Sequence, residues 1–267
     1  MRQTVQGKAM GLLNAEEGMF RLARYVPAPD LSFFIEHFWI VAWDLRGRDP
    51  YLQENLPYPS VHVVIEPGRS GVFGVTTGKF ARWLEGKSGA FGIKFRPGGF
   101  YPLLGSPVAA LTDRVLPLDA VFGDEGRAFE AAVLALDGDE ARIEEAETFL
   151  RERLPAPDAA ISEVNRIVNC IVEDRALTKV EDLAARLGLS KRALQRWFHD
   201  YVGVSPKWVI KRYRLYEAAE LAASEHRVNW ARLAQDLGYF DQAHFIKDFK
   251  AMVGKTPADY ASARGSL

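Results

Sequence analysis

The chain has 267 residues, of which 48% are hydrophobic, which is enough to bury one large core or two modest ones. Its net charge is -1, but residues 157–267 carry 17 basic and 14 acidic residues, whereas the remainder carries 17 basic and 21 acidic ones. The last part is therefore the part whose charge suits a nucleic-acid partner. The single cysteine, Cys170, excludes an internal disulfide and a cysteine-rich zinc site and is typical of a reducing compartment.

The sequence also bears on where the protein acts. Its first residues lack the pattern of a secretory signal, and no run approaches the ~18 consecutive apolar residues that a membrane span needs. These features predict a cytoplasmic protein without a membrane partner.

The segment from Phe33 to Phe95 has short apolar runs rich in β-branched and aromatic residues: FFIEHFWIVAWDL, SVHVVIE, GVFGV and GAFGIKF. Such runs predict strands, and the turn-forming clusters between them predict hairpins. We expect an antiparallel sheet or a small barrel in this part of the chain.

The periodicity changes after Phe122, where apolar residues recur at three- and four-residue steps. This spacing predicts two helices, broken near Asp137 and Gly138, and Asp158 in the sequence LPAPDA is placed to cap a further helix. We therefore predict an α+β chain of three parts. They are a β-rich sensor or regulatory domain (1–122), a helical coupling or dimerisation segment with a linker (123–156) and an all-α domain (157–267).

The all-α domain contains an internal repeat. The sequence VEDLAARLGLS recurs 50 residues later in NWARLAQDLGYFD, and the matches continue at an offset of 51, where Leu194 corresponds to Phe245 and Phe198 to Phe249. Each copy has a short helix, a turn with glycine and a second helix, the pattern of a helix-turn-helix unit.

Both copies carry helix start and stop signals. Thr178 and Glu181 are spaced as a capping box, Gly188 suits the left-handed residue that ends a helix, and Ser190 can cap the next helix. The corresponding residues of the second copy are Asn229, Gly238 and Asp241.

The second helix of the first copy separates into two faces at 100° per residue. Its inner face is apolar: Leu194, Trp197, Phe198 and Tyr201. Its outer face can donate to base edges or phosphates: Arg192, Gln195, Arg196 and His199. Arginine pairs with guanine and glutamine with adenine, while Lys191 at the helix start suits a phosphate. An isolated charged face is more often merely solvated, but the surrounding repeat favours base reading.

The second helix of the second copy has a weaker outer face. Its inner residues are Phe245, Ile246, Phe249, Met252 and Val253. Its outward residues are Ala243, His244, Lys247 and Lys250, and Gln242 stands at the helix start. Because this face has fewer base-reading groups and adds Asp248, we predict that the first copy discriminates sequence and the second contributes backbone affinity. His244 reads equally well as a structural hydrogen-bonding residue.

One long helix is predicted between the copies, with Ser205 as its cap and Pro206 in its first turn. About 19 residues at ~1.5 Å each span roughly 28 Å, close to the ~34 Å between successive major-groove faces of DNA. One chain can thus place both reading helices in adjacent grooves. The helix offers four candidates for phosphate contacts, some of which can instead simply solvate it: Lys207, Lys211, Arg212 and Arg214.

The runs VGVSPKWVIKRYRL and LGYFDQAHFIKDFKAMVGKTPADY resemble the AraC/XylS family of bacterial transcription regulators. The resemblance covers about Ser162 to Tyr260 and implies promoter DNA as a partner, a homodimer and contact with RNA polymerase. It also implies base-facing positions at Arg192, Gln195, Arg196, Ala243, His244 and Lys247. Ala243 departs from the larger polar residues often found there.

The first half, with QENLPYPSVHVVIEPG and FRPGGFYPLLG, resembles an uncharacterised domain often attached to AraC-type units. Such domains tend to be cupin-like β structures that sense a ligand or dimerise. Arg96 and the turn Pro97-Gly98-Gly99 either line a pocket or turn the chain from a strand into a helix, and we favour the turn.

Neither a metal nor a cofactor is expected. His62 and Glu66 lie on one face of a predicted strand but roughly 13 Å apart, too far to share an ion, so His62 and His37 read as ordinary sheet residues. Cys170 lies in an apolar helix, unlike the reactive thiolates of DNA-repair methyl-acceptor proteins that carry AraC-type units. No catalytic residue is predicted.

The sequence thus predicts a ligand-responsive, dimeric regulator that is not an enzyme. Two alternatives remain open: a first half that only mediates protein association, and an enzyme fused to a DNA-binding unit. A closed apolar cavity in the β domain would favour sensing, and a filled barrel with a large apolar patch would favour association.

Overall fold

The computed structural model describes residues 2–5, 18–224 and 228–264. All the described strands precede residue 117, and seven helices follow residue 158. The predicted α+β class, an antiparallel β domain followed by a helical domain, is confirmed.

Antiparallel pairing joins the strands into two sheets. Six strands form one sheet in the order β1-β2-β7-β4-β5-β8, and β3 pairs with β6 in a second sheet. Their bounds are β1 (Arg21–Tyr25), β2 (Ile35–Asp44), β3 (Tyr51–Asn55), β4 (His62–Ile65), β5 (Gly71–Phe73), β6 (Phe80–Leu84), β7 (Lys87–Phe95) and β8 (Val115–Leu116). The four apolar runs predicted as strands correspond to β2, β4, β5 and β7.

Alternate residues of the central strands point to opposite faces of the larger sheet. On β2, Phe38 belongs to a core covered by helices, whereas Trp39 lines a cavity on the other side. On β7, Ile93 belongs to the same core and Lys94 lines the same cavity. Since β3 and β6 also line that cavity, the sheet is covered on both faces.

Four of the described helices cover the core face of the sheet. They are α1 (Tyr101–Leu104), α2 (Leu118–Phe122), α3 (Asp124–Ala135) and α4 (Asp139–Arg151), and a short 3-10 turn, Val108–Leu111, lies between the first two. The predicted helix pair broken near Gly138 is therefore confirmed as α3 and α4. Their apolar residues, among them Phe129 and Ile143, share one buried cluster with the sheet.

Ion pairs also hold α4 to the start of the chain. Arg2 binds Glu147 at 2.6 Å, and Arg21 binds Asp139 at 2.8 Å. The segment predicted to couple or dimerise thus packs as part of the β domain, and a coupling or dimerising role for it stays a prediction.

The turn Pro97-Gly98-Gly99 leads the chain from β7 into α1. The amide of Gly99 donates to the carbonyl of Arg96 at 2.8 Å, and a Cβ at Gly99 would lie 2.2 Å from the carbonyl oxygen of Phe34. Arg96 itself donates to the carbonyl of Ser32. This geometry agrees with the chain-turning interpretation of Pro97-Gly98-Gly99, while Arg96 also lines a surface pocket with Ser32 and Phe33.

The helical domain begins after Asp158, whose carboxylate accepts from the amide of Ala160 as predicted. Its helices are α5 (Ala159–Glu173), α6 (Val180–Leu187), α7 (Lys191–Trp197), α8 (Pro206–Ser224), α9 (Trp230–Asp236), α10 (Gln242–Val253) and α11 (Pro257–Arg264). A π-helical turn, Phe198–Val202, extends α7. The pairs α6–α7 and α9–α10 are the two predicted units, and α8 is the predicted helix of 19 residues between them.

One face of α8 packs against the β domain. Arg212 Nε donates to the carbonyl of Pro57 at 2.7 Å, and the indole of Trp208 donates to the carbonyl of Thr77 at 3.2 Å. Leu215 shares a buried apolar cluster with Leu56 of the β domain. The connecting helix is therefore also one of the contacts between the two halves of the chain, beside the hydrogen bond from Thr112 to the carbonyl of Gly203.

A glycine after β5 allows close packing of the core. A Cβ at Gly74 would lie 1.8 Å from the carbonyl oxygen of Leu111, and backbone at such a contact cannot easily move. We predict that Gly74→Ala destabilises the fold by about 1–3 kcal/mol, measured as a lower urea midpoint. Gly78→Ala is the control, because nothing lies within 4 Å of its Cβ. Equal midpoints for the two variants would contradict the packing described.

Candidate DNA interface and buried cavity

The second helix of the first unit, α7, is capped as predicted. Ser190 accepts from the amide of Ala193 at 3.1 Å, and Gly188 has the left-handed conformation with φ 65°. Leu194 and Phe198 are fully buried, which fixes the rotation of the helix. The polar side of α7 therefore faces outward.

Five residues that the sequence assigns to DNA are exposed on that side: Lys191, Arg192, Gln195, Arg196 and His199. Lys191 pairs with Glu181, and the ring of His199 lies 2.9 Å from Asp200. By contrast, no hydrogen bond or ion pair within the described chain holds the side chains of Arg192, Gln195 or Arg196. These three side chains are free to bind an external partner.

The second unit repeats the arrangement. Asn229 accepts from the amide of Arg232 at 3.0 Å, and Asp241 accepts from the amide of His244 at 2.7 Å, so both predicted caps are confirmed. Gly238, which lies between α9 and α10, has a positive φ of 78°. Ala251 of α10 is exposed, and so are all five outward residues predicted for this helix: Gln242, Ala243, His244, Lys247 and Lys250.

Contacts within the second unit modify its electrostatics. Asp248 is largely buried and pairs with Lys211 at 2.7 Å, while His244 lies 3.5 Å from the same carboxylate and against the ring of Tyr239. The negative charge at Asp248 is thus offset by a cation from α8. These contacts are those expected if His244 has a structural role. Its side chain is nevertheless more than half exposed, as a DNA contact requires.

One predicted cap is wrong. The helix α6 begins at Val180, and its preceding residue is Lys179 without a side-chain cap, so Thr178 and Glu181 do not form a capping box. Glu181 instead pairs with Lys191. Thr178 lies against Gly238. A Cβ added at Gly238 would be 2.8 Å from the side chain of Thr178. A contact between the two units has taken the place of the local cap.

Two of the four predicted phosphate contacts are also wrong. Arg212 is 0% exposed and Arg214 is 1% exposed, so neither can reach a phosphate. Arg212 contacts the β domain, and Arg214 donates to the carbonyl of Ile171 and pairs with Glu217. The other two candidates differ: Lys207 is exposed, and Lys211 is partly exposed.

Sequence reasoning did not find the exposed aromatic ring of Phe240, which is 95% exposed beside the capping residue Asp241. A ring of this size in full contact with solvent stands out as a candidate for contact with sugar or a thymine methyl group. Its position at the start of α10 was visible in the sequence, but its exposure depends on the turn geometry.

A cavity of about 600 Å³ lies between the larger sheet and the β3–β6 pair. Its walls are mostly apolar and include Phe20, Trp43, Phe73, Phe80 and Leu84. Volumes of this size are typical of small-molecule sites. The cavity was not predicted from the sequence.

One end of the cavity is polar. Lys94 donates to Glu36 at 2.8 Å and lies 3.7 Å from the ring centre of Tyr58. Burial opposes ionisation of Glu36, but Lys94 and His37 outweigh it and hold the pKa of this carboxyl well below its usual range. Burial lowers the pKa of His62 to about 3, so its imidazole is neutral and accepts from the indole of Trp39.

Glu66 and His62 both line the cavity, as the spacing on β4 implies, but they have different partners. Glu66 accepts two hydrogen bonds from Arg82. In the residues described, no three His, Cys, Asp or Glu side chains come close enough together to hold a metal ion. The described helices also include none that is both long and apolar enough to cross a bilayer.

Comparison with known families assigns both halves of the chain. A domain of unknown function, DUF6597, matches residues 23–117, and a helix-turn-helix domain matches residues 183–263. The probable transcription factor PqrA of Proteus vulgaris is 33% identical over 82 residues, which are 31% of this chain. The match spans 66% of that relative, just under two thirds of its length.

The chain also has weak similarity to two solved structures. A transcriptional regulator with an AraC-type DNA-binding domain from Chromobacterium violaceum is 21% identical, with a TM-score of 0.35 over 39% of this chain and 92% of that one. ToxT from Vibrio cholerae, with unsaturated fatty acid bound, is 10% identical, with a TM-score of 0.40 over 100% of this chain and 99% of that one.

The sequence matches and the two capped units define a helix-turn-helix DNA-binding protein. Within that class, the chain combines a helix-turn-helix domain of the AraC type in its second half with a DUF6597 domain in its first half. The resemblance drawn from the sequence is thereby confirmed.

The different burial of Lys207 and Arg212 makes a testable prediction. If Lys207 contacts a phosphate, Lys207→Ala reduces the slope of log K against log salt concentration by about 0.9, measured by fluorescence anisotropy with duplex DNA. Arg212→Met leaves that slope unchanged, because the guanidinium of Arg212 is 0% exposed and cannot reach a phosphate. A reduced slope in a folded Arg212→Met variant would show that Arg212 reaches DNA.

Proposed function

We propose that the chain regulates transcription by placing α7 and α10 in successive major grooves of one promoter site. The observation that carries this proposal is the outer face of α7, where Arg192, Gln195 and Arg196 are exposed and held by no described partner. Buried residues and a cap fix the helix beneath them, so these side chains project from a rigid support. Such preorganisation is what base reading requires.

The two units divide the work in this proposal. Arg192, Gln195 and Arg196 read base edges, while Lys191 and His199 bind the backbone beside them. In α10 the exposed lysines, Lys247 and Lys250, supply mainly affinity for the backbone, together with Gln242 and His244. Ala243 offers no hydrogen bond but can contact a thymine methyl group.

We further propose that a small-molecule effector controls DNA binding through the β domain. The support is the cavity of about 600 Å³ with largely apolar walls, because a module that only associates with protein would have no need of a cavity of ligand size. The proposed protein acts in the cytoplasm, contacts RNA polymerase at the promoter and has no catalytic activity.

Protein association remains a second role for the β domain, and one observation favours it. Trp83 on β6 is 61% exposed, and its cross-strand partner is Leu52 on β3. Two apolar side chains on the outer face of a two-stranded sheet suit contact with another chain. We propose a homodimer formed through this face.

The test of base reading is Arg196→Ala. We predict that it weakens binding to the cognate site by about 1–3 kcal/mol and relaxes the preference at one base pair, because a bidentate pair with guanine is lost. The measurement is a competition assay on the selected site and on each of its single-base variants.

Arg127→Ala is the matched control, since Arg127 is an exposed arginine on α3 of the β domain. It is expected to leave both affinity and preference unchanged. Equal losses on cognate and random DNA in Arg196→Ala would instead assign Arg196 to the phosphate backbone, and a wild-type chain without affinity for duplex DNA at low salt would end the proposal.

A further inference from the structure

The polar end of the β-domain cavity contains more positive than negative charge. Lys94, from β7, is 5% exposed, and Arg212, from α8, is 0% exposed. Both contact the ring of Tyr58, with Lys94 Nζ 3.7 Å and the Arg212 guanidinium carbon 4.0 Å from its centre. One carboxylate, Glu36, is bound to Lys94. Around Tyr58, two buried cations therefore share one acid among the described residues, and Lys94 is the one of the two that lines the cavity.

Among the residues that the structure describes, the neighbouring groups do not supply the missing charge. Burial lowers the pKa of His37 and His62, so both are neutral, and it raises the pKa of Tyr213 to about 12. The second acid that lines the cavity, Glu66, is bound to Arg82. Burying a cation without a counter-ion is costly, so this end of the cavity favours an anion from outside the described chain.

Lys94 also has donor capacity to spare. An ammonium group has three N–H donors, and among the described residues one hydrogen bond from Lys94 is present, to Glu36. The terminal nitrogens of Arg212 have no hydrogen-bond acceptor in the described structure. A carboxylate placed next to Lys94 would gain a charge-assisted hydrogen bond where water is largely excluded.

We propose that this cavity binds a small amphipathic acid, with its anionic group at Lys94 and its apolar body against Trp39, Trp43 and Phe80. The proposal rests on the sensing role proposed above for the β domain, and it adds the chemical class of the effector. The lining aromatic rings suit a flat or ring-containing body.

The same geometry provides a route from the cavity to the DNA-binding domain. Tyr58 lines the cavity and touches Arg212 of α8, and Arg212 also lies against the rings of Tyr213 and Tyr216. An anion that draws Lys94 toward itself changes the contacts of Tyr58. The proposed route continues to α8 through Arg212, whose partners in the described β domain are Pro57 and Tyr58.

Two fluorescent probes with the same rings test the proposed chemistry. 8-Anilinonaphthalene-1-sulfonate carries an anion, and N-phenyl-1-naphthylamine lacks it. Both are titrated into the full chain without DNA, so the outcome does not depend on the DNA-binding proposal. We expect saturable binding of the sulfonate at one site per chain.

Two variants at the Glu36–Lys94 ion pair should change the affinity for the sulfonate probe in opposite directions. Glu36→Gln removes the competing carboxylate, so the sulfonate should bind about ten-fold more tightly than to the wild type. The double variant Glu36→Gln/Lys94→Met removes the cation as well. To this variant the sulfonate should bind about ten-fold more weakly than to the wild type. The neutral probe should change less than about three-fold in both variants. The double variant keeps the pair uncharged and so protects the fold.

Lys87→Met is the matched control, because Lys87 is an exposed lysine on the same strand. It should leave the affinity for both probes unchanged. The proposal is overturned if both probes weaken together in the double variant, if neither responds, or if the sulfonate shows no saturable site in a folded wild-type chain.

The coupling is tested by hydrogen exchange of the α8 amides. Sulfonate binding should slow exchange along α8 in the wild type, while Tyr58→Leu should still bind the probe but lose that effect. Equal protection in both chains would overturn the route through Tyr58. If the wild-type chain binds the sulfonate probe but does not bind duplex DNA, the proposed role as a transcription regulator is refuted. The proposed chemical class of the ligand would then still hold.

Discussion

The position of Arg212 constrains the rest of this molecule. A guanidinium cannot lose its charge, so its complete burial requires fixed contacts, and here they are the carbonyl of Pro57 and three tyrosine rings. These contacts dock one face of α8 on the β domain. Because α8 also carries a helix-turn-helix unit at each end, the docking helps to set the position of both units relative to the cavity, together with the hydrogen bond from Thr112 to Gly203.

The surroundings of α8 determine which residues remain for DNA. Val209 and Ile210 belong to the core of the first unit, Ala218 and Ala222 belong to the core of the second, and Arg212 faces the β domain. The helix is thus buried on several sides, and a long helix so enclosed acts as a rigid spacer. Sequence-specific contacts then depend on the exposed faces of α7 and α10, which suits their local caps and buried undersides.

The parts of the fold predicted from the sequence depend on local spacing. Caps at Ser190, Asn229 and Asp241 need only residues three positions apart, and the inner faces of α7 and α10 follow from helical periodicity. The prediction that Thr178 caps α6 was wrong, because Thr178 contacts Gly238 of the second unit instead. The strand β3, with the sequence YLQEN, has no clear alternation, and the buried arginines of α8 look like a solvated face. The cavity joins strands distant in the sequence, which periodicity cannot reveal.

The architecture limits how an effector can act within the function proposed here. No residue of α7 or α10 lines the cavity, so a ligand there cannot alter the base-reading side chains directly. It acts on α8, which both units share, and therefore on their relative placement. A change in the relative placement of the two units alters the affinity of the whole chain for a DNA site that spans two grooves. The reason is that tight binding requires both units to contact the site at once. Regulation through this helix would thus change how tightly the promoter is bound while leaving the preferred base sequence of each unit unaltered.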